Sequence, residues 1–485
     1  DKKIGKDVYS YYENGLRQPY FSIIAKNANL SDKAAFVETI EKELSRIAEE
    51  GIDKKALKAG LNYYEFRYRE ADFGSWPAGL MYGLQVMDSW LYDDTKPFIH
   101  IEAGDTYRSL REKADTDYFE KLIRTWMIDN GHKSVLTLAP KKGLSREHDE
   151  LLKRKLADYK AGLSAKEIDG IIRETEALRE YQETPDTKEA LACIPLLKRE
   201  DIRKEAEPLV NEIGTLSGST VMYHELFTNH ISYFRFLFDL KAVPEELFSY
   251  IGILKAVLGY VDTEVHSFDE LFHEINMETG GITAVTNLFT NAKNLDECRV
   301  TFEIKAKTLE DNLAKATQLA REIMLQSRFD DEKRLYEILA ELKSHLQSAL
   351  ISAGHSVAAG RAMSYFSRPA AIQERLSGMP FYRLVDDLEK NFDSRKDELK
   401  EKLNRLVRCI FRPENLLLDY IGTREHYEEF LRLAEGVKAS LFTESLHGEP
   451  FVIQPEKRNE GFLSASQVQY VCRAGNFINK GLSYT

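Results

Sequence analysis

The stretch from Glu174 to Ile202 reads ETEALREYQETPDTKEALACIPLLKREDI and divides the sequence into two patterned parts. It ends a region, residues 141–200, that is charged, helical in its periodicity and thin in apolar residues. A proline-bearing apolar turn, Ile194 to Leu197, closes this region before the pattern of strands and helices begins again. We interpret residues 141–200 as two antiparallel helices joined near Gly162, with a solvated spacer as the alternative.

Before this connector, residues 1–140 alternate short strands and long helices. The run Tyr20–Ala25 is apolar and β-prone, and Ser134–Ala139 predicts a closing strand. Apolar residues at helical spacing predict helices that end at Gly51 and that span Lys54–Glu70, Pro77–Leu91 and Thr116–Asn130. These strands are too few for so many helix faces, so we expect further strands upstream of Asp1.

After the connector, the alternation of strands and helices starts again. Strands are predicted at Ser219–Tyr223, Ser232–Leu240, Ile282–Thr290, Cys298–Lys305 and Glu414–Ile421. Helices are predicted at Pro244–Val261, Ser267–Thr279, Asp331–Ser352, Val385–Ile410 and Arg424–Leu441, with one more that begins in a capping box at Thr308 and Asp311. Beyond Gly448, a strand at Phe451–Gln454 opens a further unit. The pattern predicts an α+β fold of mixed sheets covered by helices.

Composition limits the possible functions. A length of 485 residues suggests about three domains, and the net charge of −12 argues against a nucleic-acid partner. The four cysteines lie far apart in the sequence, as in proteins of a reducing compartment. No apolar run is long enough to span a bilayer and no signal peptide precedes the first helix, so we expect no membrane partner. A cytoplasmic location is expected, with a mitochondrial or plastid matrix as the alternative.

Several long segments, in this order, resemble one family of peptidases. Besides the connector, these are IDKKALKAGLNYYEFRYREADFGSWPAGLMYGLQVMDSWLYDD (residues 52–94), YHELFTNHISYFRFLFDL (223–240) and SASQVQYVCRAGNF (464–477). Together they are similar to the presequence protease branch of the insulinase/pitrilysin (inverzincin) metallopeptidases. The resemblance runs through essentially the whole chain.

The resemblance implies a fold and an activity. Such enzymes consist of two hinged half-shells, each made of two related pitrilysin-type domains, that enclose a zinc site and digest unstructured peptides. It implies that residues 1–140 are the later part of a second domain and residues 141–200 a helical-hairpin connector. Residues 201–446 would be a third, inactive domain and residues 449–485 the start of a fourth, truncated domain.

The zinc motif of that family is absent from this sequence. The family motif is H-x-x-E-H on a helix, where two imidazoles one turn apart share the metal and the glutamate activates water. No H-x-x-E-H occurs here, and the related helix of the third domain reads SYIGILKAVLG from Ser249 to Gly259. We therefore expect no catalytic residue, metal ligand or bound cofactor in this chain. The resemblance implies that zinc is held in a first domain of the parent enzyme.

An aromatic cluster near residue 70 is the candidate for substrate contact. The side chains that we expect to contact a peptide are Tyr64, Arg67, Arg69, Phe73 and Trp76. Aromatic rings with interleaved guanidinium groups can hold peptide side chains. The alternative is core packing together with an ion pair at the end of the helix.

Histidine pairs in this sequence have the wrong spacing for a shared metal. His224 and His230, beside Glu225, would lie about 20 Å apart on an extended segment, so we interpret them as surface or hydrogen-bonded groups. His266 and His273 fall about two turns apart on one helical face. With Glu270 and Glu274 nearby, we expect a local cluster of ion pairs there.

Two short glycine motifs imitate catalytic sites. Gly354-His-Ser356-Val-Ala358 resembles a nucleophile elbow, but the elbow needs a strand before the serine, and a helical pattern precedes Gly354. The segment Gly214–Thr220 resembles a phosphate-binding loop without its lysine, so a hairpin turn is expected.

The sequence thus supports one leading hypothesis and two alternatives. The chain is interpreted as the central, non-catalytic portion of a zinc metalloendopeptidase that degrades short unstructured peptides, forming a chamber wall and the hinge between the halves. Its partners would be those peptides and the remaining domains of the parent polypeptide. The alternatives are a free-standing peptide-binding or assembly protein built on the same scaffold, and a serine hydrolase at Ser356.

Overall fold

A computed structural model describes residues 4–5, 7–205, 208–291, 294–295, 297–445, 449–463, 468–478 and 481–482. Contacts between Cα atoms divide the chain into two compact units. The first unit contains residues 1–12, 21–45 and 125–209, and the second contains residues 13–20, 46–124 and 210–485. The mixture of long helices with one large mixed sheet agrees with the predicted α+β class.

The secondary structure is mainly helical. The strands are β1 (Asp7–Glu13), β2 (Tyr20–Lys26), β3 (Glu212–Leu216), β4 (Ser219–Glu225), β5 (Ile231–Asp239), β6 (Gly281–Thr290), β7 (Cys298–Leu309) and β8 (Leu416–Gly422). The helices are α1 (Lys33–Glu50), α2 (Lys54–Glu70), α3 (Ala78–Trp90), α4 (Gly104–Lys113), α5 (Tyr118–Ile123), α6 (Leu144–Ala161), α7 (Ala165–Glu183), α8 (Lys188–Ala192), α9 (Glu245–Phe248), α10 (Ile251–Val257), α11 (Phe268–Glu278), α12 (Leu313–Leu325), α13 (Glu332–Ser352), α14 (Gly354–Ser364), α15 (Arg368–Ser377), α16 (Met379–Lys390), α17 (Phe392–Ile410) and α18 (Arg424–Ala439).

The first unit holds the two helices predicted for the connector. Helix α6 ends before Gly162, and Ser164 begins α7 in a capping box with Glu167. The apolar side chains of both helices remain about half exposed, as at Leu156 and Leu178. Both predicted helices are confirmed, whereas their antiparallel pairing stays a prediction. The predicted domain bounds also rest on the resemblance and stay predictions.

The second unit is built around a sheet of six strands in the order β3-β4-β8-β5-β7-β6. Strands β4 and β8 are parallel, and all other neighbours are antiparallel. The turn from β3 to β4 is a hairpin, because Ser217 and Gly218 both have positive φ, 49° and 89°. The hairpin expected in place of a phosphate-binding loop is therefore confirmed.

Side chains alternate along the strands, so the sheet has one apolar face and one polar face. On the apolar face, the buried side chains include Tyr223, Phe234, Phe236, Phe302, Ile304 and Tyr420. Helices α12 and α18 pack against this face, and the rings of Phe236 and Phe430 lie 5.9 Å apart. The opposite, polar face carries polar and charged residues, among them His224, Arg235, Glu303, Lys305 and Asp419.

Several predicted elements are wrong in their extent. Ser134–Ala139 is not a strand; its leucines are more than four-fifths exposed, at 82% for Leu136 and 86% for Leu138, with no strand to pair with among the described residues. The predicted helix Val385–Ile410 is two helices, because Asn391 interrupts it and bonds to the Asp387 carbonyl at 3.2 Å. Thr308 forms no capping box, since its hydroxyl donates to the Glu278 carbonyl.

The residues after the predicted Gly448 boundary form no regular element where they are described. Phe451–Gln454 is not a strand, and only an isolated bridge joins Pro450 to Pro244. The ring of Phe451 instead packs at 4.2 Å from that of Phe248. Gly448 and residues 464–467, which begin the last segment of the resemblance, lie outside the described residues.

Candidate functional site

The residues expected to contact substrate lie on helix α2 and in the loop that follows it. Asp53 begins this helix, and its carboxylate accepts hydrogen bonds from the N–H groups of Lys55 and Ala56 at 2.8 and 3.2 Å. The helix ends at Glu70, and Ala71 adopts the left-handed conformation. The helix presents one exposed side to solvent and two buried sides to the rest of the second unit.

Three of the five predicted residues, Tyr64, Arg67 and Trp76, are exposed. Tyr64 is 63% exposed, and its ring lies 5.3 Å from that of Tyr63. Arg67 donates to the Tyr63 hydroxyl at 3.1 Å, with its guanidinium 5.7 Å from the ring centre. Trp76, in the loop, is also 63% exposed. These side chains are accessible and can present aromatic and cationic groups to a peptide.

The other two predicted residues are engaged inside the second unit. Arg69 donates to the buried Glu65 carboxylate at 2.8 and 3.0 Å, and Arg111 of α4 donates to its other oxygen. Burial alone would raise the pKa of Glu65, but the hydrogen bonds from the two arginines lower that pKa below its usual value. Phe73 packs edge-on against Tyr82 at 5.5 Å. Arg69 and Phe73 therefore hold helices together.

A third side of α2 was missed by the sequence analysis. Asn62 donates to the carbonyls of Asn276 and Thr279 at 3.0 and 3.1 Å, which satisfies the end of α11. One and two turns later, Phe66 is buried and Glu70 accepts from Lys307 at 2.7 Å. The sequence could have indicated this side, because residues four apart lie on the same side of a helix.

The polar face of the sheet contains a buried acidic group, Asp419, beside two basic ones. Asp419 lies with its oxygens 3.3 Å from Arg235 Nε and 3.2 Å from His224 Nε2. Burial nevertheless raises the pKa of Asp419, because its desolvation outweighs the attraction of Arg235 and His224. Neighbouring Glu303 is fully buried, and one of its oxygens has no hydrogen-bond partner in the structure.

The histidines near β4 and β5 have hydrogen-bonded partners, in agreement with their interpretation. His224 Nδ1 lies 2.6 Å from the Val210 carbonyl. His230 Nδ1 lies 2.9 Å from one oxygen of buried Glu310, and His426 lies 3.5 Å from the other. Within the described residues, no group of three His, Cys, Asp or Glu side chains is arranged to hold a metal ion.

The expected ion-pair cluster around His273 is wrong. His266 pairs instead with buried Glu322 at 2.8 Å, and Glu274 pairs with Lys315 of α12 at 3.0 Å. Glu270 is used to cap its own helix, where it accepts from Ser267. His266 and Glu274 therefore connect the α11 region to α12, whereas Glu270 bonds within its own helix.

The segment Ser249–Gly259 contains the short helix α10, whose apolar side chains belong to the core. Ile251, Gly252, Ile253 and Leu254 are all buried, and a Cβ on Gly252 would lie 2.6 Å from the Phe381 ring. Burial lowers the pKa of Lys255 on the same helix. This helix serves packing, and none of its side chains is a metal ligand.

Ser356 has the wrong context for a nucleophile elbow. It lies in helix α14, and helix α13 precedes it where the elbow requires a strand. Ala353 interrupts the two helices with φ −119° and ψ 35°. The interpretation of Gly354 as a break between helices is confirmed, and nothing in this geometry favours a serine hydrolase.

Comparison with known proteins identifies the family. Residues 138–388 match the family model described as peptidase M16-C associated. The chain belongs to the presequence protease branch of this M16 peptidase family. The match extends from before α6 into α16 and therefore includes the predicted connector and most of the six-stranded sheet.

Curated relatives of this M16 chain extend the similarity over all of its residues. Protein HypA of Clostridium perfringens is 35% identical over 485 residues, which are 100% of this chain and 50% of that protein. Presequence protease 1, chloroplastic/mitochondrial, of Arabidopsis thaliana is 27% identical over 98% of this chain and 44% of its own length. The mitochondrial presequence protease of Xenopus laevis is 23% identical over 84% and 39%. The chain spans half or less of the length of these relatives.

Among the helices of the described residues, none is both long and apolar enough to cross a bilayer.

Proposed function

We propose that this M16 chain is the central, non-catalytic portion of a zinc metalloendopeptidase that degrades short unstructured peptides. In this role the second unit forms part of the wall of a peptide chamber, and helices α6 and α7 connect the two halves of the enzyme. The observation that carries the proposal is the family match over residues 138–388 in a sequence that contains no H-x-x-E-H.

The accessible aromatic residues supply the peptide contact. Tyr64, Arg67 and Trp76 offer rings and a positive charge, which suit extended peptides with apolar and acidic side chains. The helix that carries Tyr64 and Arg67 is held rigidly through Glu65 and Asn62. A rigid support favours binding, because fewer side chains must be ordered when the peptide arrives.

The remaining domains of the parent polypeptide are the second partner. Helix α3 exposes Leu84, Met87 and Trp90 to about half of their full extent, and apolar exposure of this kind marks a surface that another element covers. Zinc would be supplied by the first domain of the parent enzyme. The protein would act in the cytoplasm, or in an organelle matrix as the names of the Arabidopsis and Xenopus relatives suggest for those proteins.

Two proteins test this proposal when they are measured side by side: this 485-residue chain and the full-length product of the same gene. Elemental analysis should find about one zinc per full-length molecule, and that protein should cleave an internally quenched unstructured peptide until a chelator is added. The isolated chain should neither hold stoichiometric zinc nor cleave. Chelator-sensitive cleavage by the isolated chain would overturn the proposal. An inactive full-length protein that binds the peptide would favour a binding or assembly protein.

A further inference from the structure

The outer strand β6 leaves one edge of the six-stranded sheet without a partner strand in the described part of the chain. It pairs with β7 along its whole length of ten residues, from Gly281↔Lys307 to Thr290↔Cys298. No strand pairs with its other side among those residues. A strand edge of this length offers a row of backbone donors and acceptors to another extended chain.

The hydrogen-bond pattern identifies which backbone groups face outward. The Leu240 N–H donates to the Val300 carbonyl, so the even-numbered residues of β7 bond to β5. Odd-numbered residues of β7 therefore bond to β6, as the Asn291 N–H does at Glu297 just beyond the strand. Because antiparallel strands alternate in this way, the outward N–H and C=O groups of β6 belong to its even-numbered residues. These are Ile282, Ala284, Thr286, Leu288 and Thr290.

The sequence of β6 lacks the features that usually block such an edge. It reads GITAVTNLFT, with no charged residue and no proline. Natural edge strands are normally short, or carry lysine, proline or another charge. The opposite edge strand, β3, follows that rule, since it has five residues and its Glu212 pairs with Arg424 at 2.5 Å. Of the two outer strands among the described residues, β6 is therefore the one with fewer features that oppose strand addition.

The two sides of the edge differ in polarity. Ile282, Ala284 and Leu288 belong to the apolar face and pack against the core. On the polar face of the sheet, the row of β6 is mixed, because Thr283 and Asn287 alternate with Val285 and Phe289. Thr283 lies opposite Lys305 of β7. A chain added along this edge would place alternate side chains next to the apolar row and next to the mixed row.

We propose that the free edge of β6 binds an extended peptide as an additional strand of the sheet. This rests on the proposed function, because the occupant is the unstructured peptide that the parent enzyme degrades. The backbone of β6 provides affinity without regard to sequence, and its apolar row favours peptides with apolar residues at alternate positions. The edge is a holding site, and it supplies no group that reacts with the peptide.

The probe is a fluorescein-labelled peptide with the sequence of residues 299–308, RVTFEIKAKT, which alternates apolar and polar residues and is soluble. Binding to the intact 485-residue chain is measured by fluorescence anisotropy. Hydrogen exchange is then read at single residues. The peptide should slow exchange at the N–H groups of Ile282, Ala284, Thr286 and Leu288, and it should leave the odd-numbered amides, already bonded to β7, unchanged.

A matched pair of variants isolates the backbone contribution. Thr286→Pro removes one outward N–H and spares the ladder to β7, whereas Thr286→Ala keeps that N–H. We expect Thr286→Pro to weaken binding about tenfold and Thr286→Ala to leave it within about twofold, since one hydrogen bond contributes roughly a factor of ten. The same loss is expected when the protein is unchanged and alternate amides of the peptide are N-methylated.

Three outcomes would overturn the inference. The first is equal binding of the peptide to both variants and of the N-methylated peptide to the unaltered chain. The second is protection of amides outside β6. The third is self-association of the chain that Thr286→Pro abolishes in light scattering, because the edge would then pair with a second copy. A peptide that binds elsewhere would refute this edge and leave the proposed peptidase function intact, whereas a full-length protein without peptidase activity would refute that function alone.

Discussion

The ring of Phe66 lies directly over Gly280, so closely that a Cβ on Gly280 would be 2.3 Å from the ring. No side chain other than hydrogen fits at this position while the ring stays in place. This contact places helix α2 at the point where α11 ends and β6 begins. Asn62 and Glu70 fix the helix one turn to either side of that contact.

Replacement of Gly280 by alanine should destabilise the second unit by about 1–3 kcal/mol, because the new methyl group forces Phe66 out of its site. The free energy of unfolding from denaturant titration provides the measurement. Gly60→Ala is the matched control, since Gly60 lies inside α2 and a Cβ there meets nothing within 4 Å. That control should be neutral or slightly stabilising, because alanine favours a helix. Equal effects of the two variants would contradict the packing argument.

The ion pair between Glu70 and Lys307 should couple α2 to β7. A double-mutant cycle with Glu70→Gln and Lys307→Met is expected to give a coupling free energy of about 0.5–1 kcal/mol, reduced by partial exposure of the lysine. The exposed pair of Glu38 and Lys42 serves as the comparison, with side-chain exposures of 63% and 75%. Its cycle should give nearly zero. A coupling free energy no larger than that of the exposed pair would show that Glu70 does not help to hold α2 against β7.

Acid should weaken the network on helix α17. A hydrogen bond from Lys402 at 2.7 Å, with help from Arg395 and Tyr250, lowers the pKa of Glu398 from 4.5 to about 2. A carboxylate with a lowered pKa contributes stability that is complete above pH 4.5 and is lost as the pH falls towards 2. The free energies of unfolding of the unaltered chain and of Glu398→Gln should therefore approach each other as the pH falls through this range. Glu401→Gln, exposed on the same helix, should run parallel to the unaltered chain throughout.

Under the proposed function, the accessible aromatic residues should matter for peptide binding by the full-length protein. Tyr64→Ala and Trp76→Ala are each expected to raise KM severalfold with little change in kcat, because stacking on one aromatic ring contributes about 0.5–1.5 kcal/mol. Tyr181→Ala removes an aromatic ring that is 81% exposed on α7, and it should change neither constant. A fall in kcat alone would show that these residues act other than by contact with the peptide.

Elements with strong local signals were predictable from the sequence. The bounds of α2, Lys54–Glu70, agree with the prediction because Asp53 caps its start and the apolar spacing is regular. The aromatic run of β5 was equally clear, since its alternation persists even in a buried strand. Family membership followed from long segments in order, which carry more information than any short motif.

Other features depend on contacts between distant parts of the chain. Ser134–Ala139 has a strand-like composition, yet a strand forms only where a partner satisfies its backbone groups. Arg69 and Trp76 look alike as candidate ligands in the sequence. Only the position of Arg111 on another helix shows that the arginine is already engaged. Helix α4 was missed because its weak apolar pattern gains stability from contact with α2.

The burial of α10 has a consequence for protein engineering. Metal ligands introduced on α10 would stand at positions such as Ile251 and Leu254, which have no solvent contact. Each new polar group would lose its water, and the methyl groups that it replaces would leave gaps in the core. A metal centre on this helix would therefore require a redesigned interior, and substitution of the ligands alone would not suffice.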